Sequence, residues 1–346
     1  MPHLPSSSFS PRFPFTSGHL QTLYPTLFRT IPPATPQRRR LETDDGDFID
    51  VDWHFAAAGS RARRLAVISH GLEGSSRRKN VLAMALLLQG SEWDVLCLNC
   101  RGCSGEMNRL PRLYHSGVTD DLHRVLYYGL AEGGYDSAVL IGFSMGGNQT
   151  LKYLGEAPDK VPEAVRAAAV FSVPVELGDS GARMARGFNC IYTRYFLRGL
   201  KDKVEKKAKM YPGLYDTARL KEIGTLFQFD DLYTGPIHGF TGAVDYYAKC
   251  SSRQFLKNIR LPTLLVQAED DPFLPPSCYP VEDARQNTSL FLETPRHGGH
   301  MGFVVDCGAD RYWLENRALG FFQELAAPDY CRQRSRKEGY KKGLIS

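Results

Sequence analysis

Short apolar runs recur along the chain without alternating with polar residues: LAVIS at 65–69, WDVLCLN at 93–99, AVLIG at 138–142, AAAVFSV at 167–173, TLLVQA at 263–268 and LFLE at 290–293. A strand with one wet face alternates, so these runs suit strands covered on both faces. Stretches with helical spacing lie between most of them, at 80–89, 119–132, 146–156 and 311–325. Strand alternating with helix predicts an α/β fold: a mostly parallel twisted sheet flanked by helices, joined by right-handed crossovers. One stretch differs. In FIDVDWHF, Ile49, Val51, Trp53 and Phe55 alternate with Asp50, Asp52 and His54, which predicts a half-buried strand. Asp45-Gly46 sits where a hairpin turn belongs before it.

The gap from 174 to 260 is too long for one crossover and is rich in aromatics, among them Phe188, Tyr192, Tyr195, Phe196, Phe227, Phe229, Tyr246 and Tyr247. A helical cap inserted before the fifth run accounts for it without a long structureless loop. The expected organisation is an N-terminal arm at 1–36, a core at 37–173 and 261–327, the cap at 174–260 and a basic tail at 328–346.

Charge and cysteine content narrow the function classes. The net charge of +5 is mild and the basic residues fall in scattered clusters at 38–40, 77–79, 201–209 and 332–342. Nucleic-acid binding wants one basic face interleaved with stacking aromatics, and no such face is legible. The last cluster limits membrane contact to a peripheral touch on anionic head groups. No apolar stretch reaches ten residues, and no secretory signal opens the chain, so a cytoplasmic protein without disulfides is expected. Cys97, Cys100 and Cys103 have metal-like spacing, yet Cys97 lies in an apolar run and no second ligand pair follows. They read as buried or loop thiols.

The chemistry is concentrated after the runs. Gly142-Phe143-Ser144-Met145-Gly146 follows a strand-like run and opens a helix-like one. That context gives G-x-S-x-G its meaning: a serine on a tight strand-to-helix turn, cleared by small neighbours, over a helix N-terminus that favours developing negative charge. A serine hydroxyl needs a base, and the base needs a partner to orient it. After TLLVQA comes Glu269-Asp270-Asp271-Pro272, and after LFLE comes a loop with His297-Gly298-Gly299-His300. Asp271, held by the DPFLP turn, is preferred over Asp270 and Glu269. His300, behind two glycines, is preferred over His297. Backbone N–H donors for an oxyanion fall to Met145, just after the serine, and Leu72, on the loop after the 65–69 run. His70 on that loop reads as packing. The pattern is a Ser144–His300–Asp271 triad that needs no metal or organic cofactor. Acyl transfer through an acyl-enzyme and a non-catalytic binding protein are the alternatives to hydrolysis.

The chain also resembles the YheT-like and EMB8-like group of α/β-hydrolases. The resemblance rests on Gly18-His19-Leu20-Gln21-Thr22-Leu23, His70-Gly71-Leu72-Glu73-Gly74, Arg101-Gly102-Cys103-Ser104-Gly105-Glu106, Tyr114-His115-Ser116-Gly117, Phe229-Asp230-Asp231 and the three segments above. It implies the α/β-hydrolase fold, the same triad and acyl-ester hydrolysis, with lipid esters among the substrates. The roles of His19 and His115 do not follow from it; structural duty is expected for both.

Overall fold

All six apolar runs are strands in the computed structural model, which describes residues 3–4, 7–56, 62–306 and 312–326. Nine strands form one sheet: β1 His3–Leu4, β2 Gln37–Glu42, β3 Phe48–His54, β4 Arg64–Ser69, β5 Asp94–Leu98, β6 Ser137–Phe143, β7 Val165–Phe171, β8 Thr263–Val266 and β9 Leu290–Glu293. Their order is β1-β9-β8-β7-β6-β4-β5-β3-β2. Pairing is parallel from β1 through β5, while β3 runs antiparallel to both β5 and β2. The tail at 328–346, with its basic cluster, lies outside the described residues.

The period of two explains the unbroken apolar runs. In β4, Leu65 and Val67 enter one core while Ala66 and Ile68 enter the other. In β6, Ala138 and Leu140 share the first core, and Val139, Ile141 and Phe143 share the second. Buried residues of helices Asp120–Gly133 and Met145–Glu156 complete the first core, and those of Lys79–Gly90 and Leu314–Ala326 complete the second. The sheet is thus roofed on both faces, as a parallel sheet requires.

β3 departs from the expected half-buried strand, because all seven of its residues are buried. Its acids are covered by partners. Arg40 grips Asp50 through two hydrogen bonds at 2.8 and 3.0 Å, and Arg38 grips Asp52 at 2.8 and 2.9 Å. Ser104 donates to Asp50 at 2.7 Å, and Ser76 donates to Asp52. These contacts hold both carboxyls below the usual carboxylate range against the cost of burial. Nearby, the buried Arg101 pairs with Asp45, Asp47 and Asp121 at 2.8–2.9 Å. Alternation marks two chemically different faces; it does not reveal that the polar face is wet.

The chain leaves β5 on one side of β4 and resumes at β6 on the other. That reversal is where open α/β sheets place a ligand crevice, outside the carboxyl ends of the strands. The loops after β4, β6, β8 and β9 meet there. Residues between β7 and β8 form helices Leu177–Met184, Cys190–Met210 and Ala243–Cys250, with shorter turns between them.

Candidate active site

Ser144 follows β6 directly and caps helix Met145–Glu156, with φ 51° and ψ −116°. A non-glycine residue there carries strain of about 1–3 kcal/mol, sustained only where the surroundings over-determine it. Those surroundings are tight: a Cβ on Gly146 would stand 2.6 Å from the carbonyl oxygen of His70. The two glycine-rich loops therefore touch backbone to backbone, and Ser144 Oγ is left facing the crevice.

His300 Nε2 lies 3.0 Å from Ser144 Oγ. Its Nδ1 lies 2.9 Å from Asp271 Oδ2 and 3.2 Å from Oδ1. A carboxylate only accepts, so Nδ1 carries the proton and Nε2 is left to accept from the serine hydroxyl. Asp271 is buried and also accepts from the Phe273 N–H at 2.8 Å. The Phe273 ring lies on the imidazole, with centroids 4.1 Å apart.

The neighbouring acid and histidine form a second pair. His297 Nδ1 lies 3.1 Å from Asp270 Oδ2, and Asp270 Oδ1 accepts from the Gly299 N–H at 2.8 Å. Asp270 thus braces the loop that carries His300, while burial pushes its carboxyl up. Glu269 is exposed.

His70 is placed beyond use as a base. Its Nδ1–H donates to Gly71 O at 2.7 Å, and its Nε2 accepts from the Cys100 N–H at 3.1 Å. Full burial pushes it down to about 4. His19 joins the N-terminal segment to helix Cys190–Met210: its Nδ1 is 3.1 Å from Tyr192 Oη, and Phe188 meets its ring edge-on. His115 lines the cavity that Ser144 and His300 also line, and packs against His238 and Tyr246. Cys97 and Cys100 are buried, and burial raises both thiols. Among the described residues no cluster of His, Cys, Asp and Glu fits a metal ion.

Helix Gly18–Phe28 holds residues that the sequence marks without explaining. Thr22 Oγ1 donates to Gly18 O at 2.7 Å and accepts from the His300 N–H at 2.9 Å. Gln21 is buried, donates to Phe15 O and Val304 O, and accepts from the Val304 N–H at 2.7 Å. The G-H-L-Q-T segment is a clamp on the backbone that carries the imidazole. Its sequence signal was visible, but its partner lies 278 residues away.

The crevice opens into a cavity of about 110 Å³ shared by Ser144, His300, Leu72 and Met145. Leu177, Met184, Phe196, Leu200, Leu226 and Phe273 make most of it apolar. Met145 is the first residue of its helix, so its N–H has no acceptor inside that helix. A Cβ on Gly71 would stand 3.2 Å from Ser144 Cβ, which puts the backbone just before Leu72 against Ser144. Asp230 is the acid in the cavity wall. Tyr247 Oη donates to it at 2.7 Å, and burial pushes its carboxyl up to about 6.

Comparison with known proteins agrees with this architecture. Residues 67–306 match the family described as the alpha/beta hydrolase fold. YheT of Escherichia coli (strain K12) is 36% identical over 315 residues, which cover 90% of this chain and 92% of that one. Phospholipase ABHD3 of Homo sapiens is 30% identical over 83% of this chain and 71% of its own. An esterase of Pyrococcus furiosus shares the fold with a TM-score of 0.55 and 16% identity, over 86% of this chain and 96% of that structure. The chain belongs to the α/β-hydrolase family, and within it to the group that contains YheT. Its relatives are esterase-like and lipase-like hydrolases. Among the described residues no helix is long and apolar enough to cross a membrane.

Proposed function

We propose that this chain hydrolyses carboxylic esters, lipid esters among them, through an acyl-enzyme on Ser144. His300 takes the hydroxyl proton at Nε2 as Ser144 Oγ attacks the ester carbonyl. The Leu72 and Met145 amides receive the oxyanion. Asp271 keeps the proton on Nδ1 and offsets the charge that His300 gains. His300 then protonates the departing alcohol, and water repeats the attack on the acyl-enzyme.

One observation carries this reading: the unbroken relay of 3.0 and 2.9 Å from hydroxyl through imidazole to a buried carboxylate, with the hydroxyl facing an apolar cavity. An apolar wall favours an acyl chain by about 0.8 kcal/mol for each methylene buried. The likeness to a phospholipase supports the ester as the bond class. Residues 174–260 serve as the cap over that chain, and the N-terminal arm braces the histidine loop through Gln21 and Thr22. No nucleic acid, metal or organic cofactor enters the scheme.

The test is covalent labelling by a fluorophosphonate probe. Wild type labels and Ser144→Ala does not; equal labelling of the two refutes the assignment. A p-nitrophenyl ester series from two to sixteen carbons then reads the length of the acyl pocket as the chain at which kcat/KM stops rising.

A further inference from the structure

Glu73 follows Leu72 directly, and its backbone takes φ 51°, a left-handed conformation that side chains rarely adopt. Its surroundings impose it. The Glu73 N–H donates to Tyr114 Oη at 2.9 Å, and the same hydroxyl donates back to Glu73 Oε1 at 2.6 Å. Lys203 Nζ donates to Oε1 at 2.6 Å, and Arg78 donates to the Glu73 carbonyl oxygen at 2.7 Å. N–H, C=O and carboxylate are all held.

The partners come from different parts of the chain. Lys203 belongs to helix Cys190–Met210, whereas Glu73 is on the loop after β4. The helix is shaped for the contact, because a Cβ on Gly199, one turn earlier, would collide with Glu73 Oε2. Both charged side chains are only 10% exposed. An ion pair on an open surface contributes little, but breaking a buried one leaves a lone charge out of water. The Tyr114 contact fixes the peptide plane between Leu72 and Glu73, and so limits how the neighbouring Leu72 amide can turn.

We propose that Glu73 and Lys203 are positioning residues that aim the Leu72 amide at the oxyanion, so that the hole is complete only while helix Cys190–Met210 is docked on the loop. The proposal rests on the reading of Ser144 as the nucleophile. Oxyanion donors act by being in place before charge develops. A donor tied to the cap couples closure over the substrate to the chemical step.

The experiment compares wild type with Lys203→Met, Glu73→Gln, the double variant and Lys203→Arg. Active sites are counted by fluorophosphonate titration, so that misfolded protein drops out. With p-nitrophenyl butyrate, Lys203→Met and Glu73→Gln should each lose roughly 10–100-fold in kcat per titrated site, part of the full cost of one oxyanion donor. KM should stay within about 3-fold, because the ground-state carbonyl needs the donor less than the oxyanion does. Affinity for a trifluoromethyl ketone, which adds to the serine as an oxyanion, should fall by the same factor as kcat. The double variant should be no worse than the poorer single one, and Lys203→Arg should recover most of the activity. Variants that keep the wild-type kcat per site, with the whole effect in Tm, overturn the proposal: the pair then only fastens the cap. A wild type that labels nowhere overturns the nucleophile reading and this inference together.

Discussion

The two walls of the cavity are built by different means. The sheet-side wall places each triad candidate chiefly through backbone: Ser144 on a strained turn, Asp271 where it accepts from the Phe273 N–H, and His300 on a turn whose N–H donates to the Thr22 hydroxyl. On the cap side, polar groups are set by other side chains: Lys203 of helix Cys190–Met210 holds Glu73 of the facing loop after β4, and Tyr247 holds Asp230. Backbone is placed by whole strands and shifts little. A long side chain holding another has several torsions to lose, so its geometry depends on the cap staying docked. The Ser144, His300 and Asp271 side chains should therefore keep their places when the cap is changed, whereas the Leu72 amide, tied through Glu73 to helix Cys190–Met210, should not, and removing one of the three side chains should be the costliest change.

The largest effect expected is the loss of the proposed nucleophile. Ser144→Ala should reduce turnover by on the order of 10⁶ while the fold persists, because the methyl fits where the hydroxyl was. Asp271→Asn keeps the shape and reverses the tautomer, since an amide nitrogen facing Nδ1 pushes the imidazole proton to Nε2. About 10⁴ in kcat should be lost, with little change in KM. If either variant retained activity within about 10-fold, the sheet-side wall would not be where the reaction is run. Steady-state kinetics on a soluble ester decides both.

The cap-side wall gives a smaller effect of opposite sign. Asp230 has its carboxyl raised from 3.8 to about 6 by burial. A raised acid contributes its stability fully below the unfolded value and loses it as pH climbs through the folded one. Folding thus loses stability between about pH 4 and pH 6 and recovers none of it above. Tyr246 and Tyr247, which neighbour this acid, are raised further from their usual range and stay neutral throughout. Asp230→Asn keeps an acceptor for the Tyr247 hydroxyl. It should be more stable than wild type at pH 7.5, by at most about 3 kcal/mol, and no more stable at pH 3.5. Thermal unfolding at the two pH values measures the difference; an equal gap at both would show that Asp230 does not titrate in this window.

The same contrast explains what could be read in advance. Groups that chemistry demands come with local punctuation: glycines around Ser144, a proline after Asp271, two glycines before His300. Each sits past an apolar run, so order along the chain was enough to propose them as a set. The cap-side groups carry no such marks. Lys203 lies in a cluster of basic residues on a long helix, where a solvated face is the ordinary reading, and only the fold buries it against Glu73. β3 misled for a related reason, since alternation reports two faces and says nothing of the arginines that cover one of them. The G-H-L-Q-T segment was recognisable but unexplained, because its partner is at the other end of the sequence.

Thr22 probes the sheet-side wall where it is thinnest. Among the described residues, its hydroxyl is the one contact by which a side chain outside Ser144, Asp271 and His300 holds the backbone of one of them. Thr22→Val keeps the branched shape and removes one hydrogen bond to a partly buried N–H, a loss of about 1 kcal/mol. If backbone placement of His300 comes from the whole loop, with Asp270 on Gly299 and Ser172 on Met301 as further braces, kcat should fall by only about 3–10-fold. Fluorophosphonate labelling should slow by the same factor, because both reactions need Nε2 aligned on Ser144. A fall of about 10³ or more would mean that a single side chain sets the imidazole after all, and the distinction between the two walls would not hold.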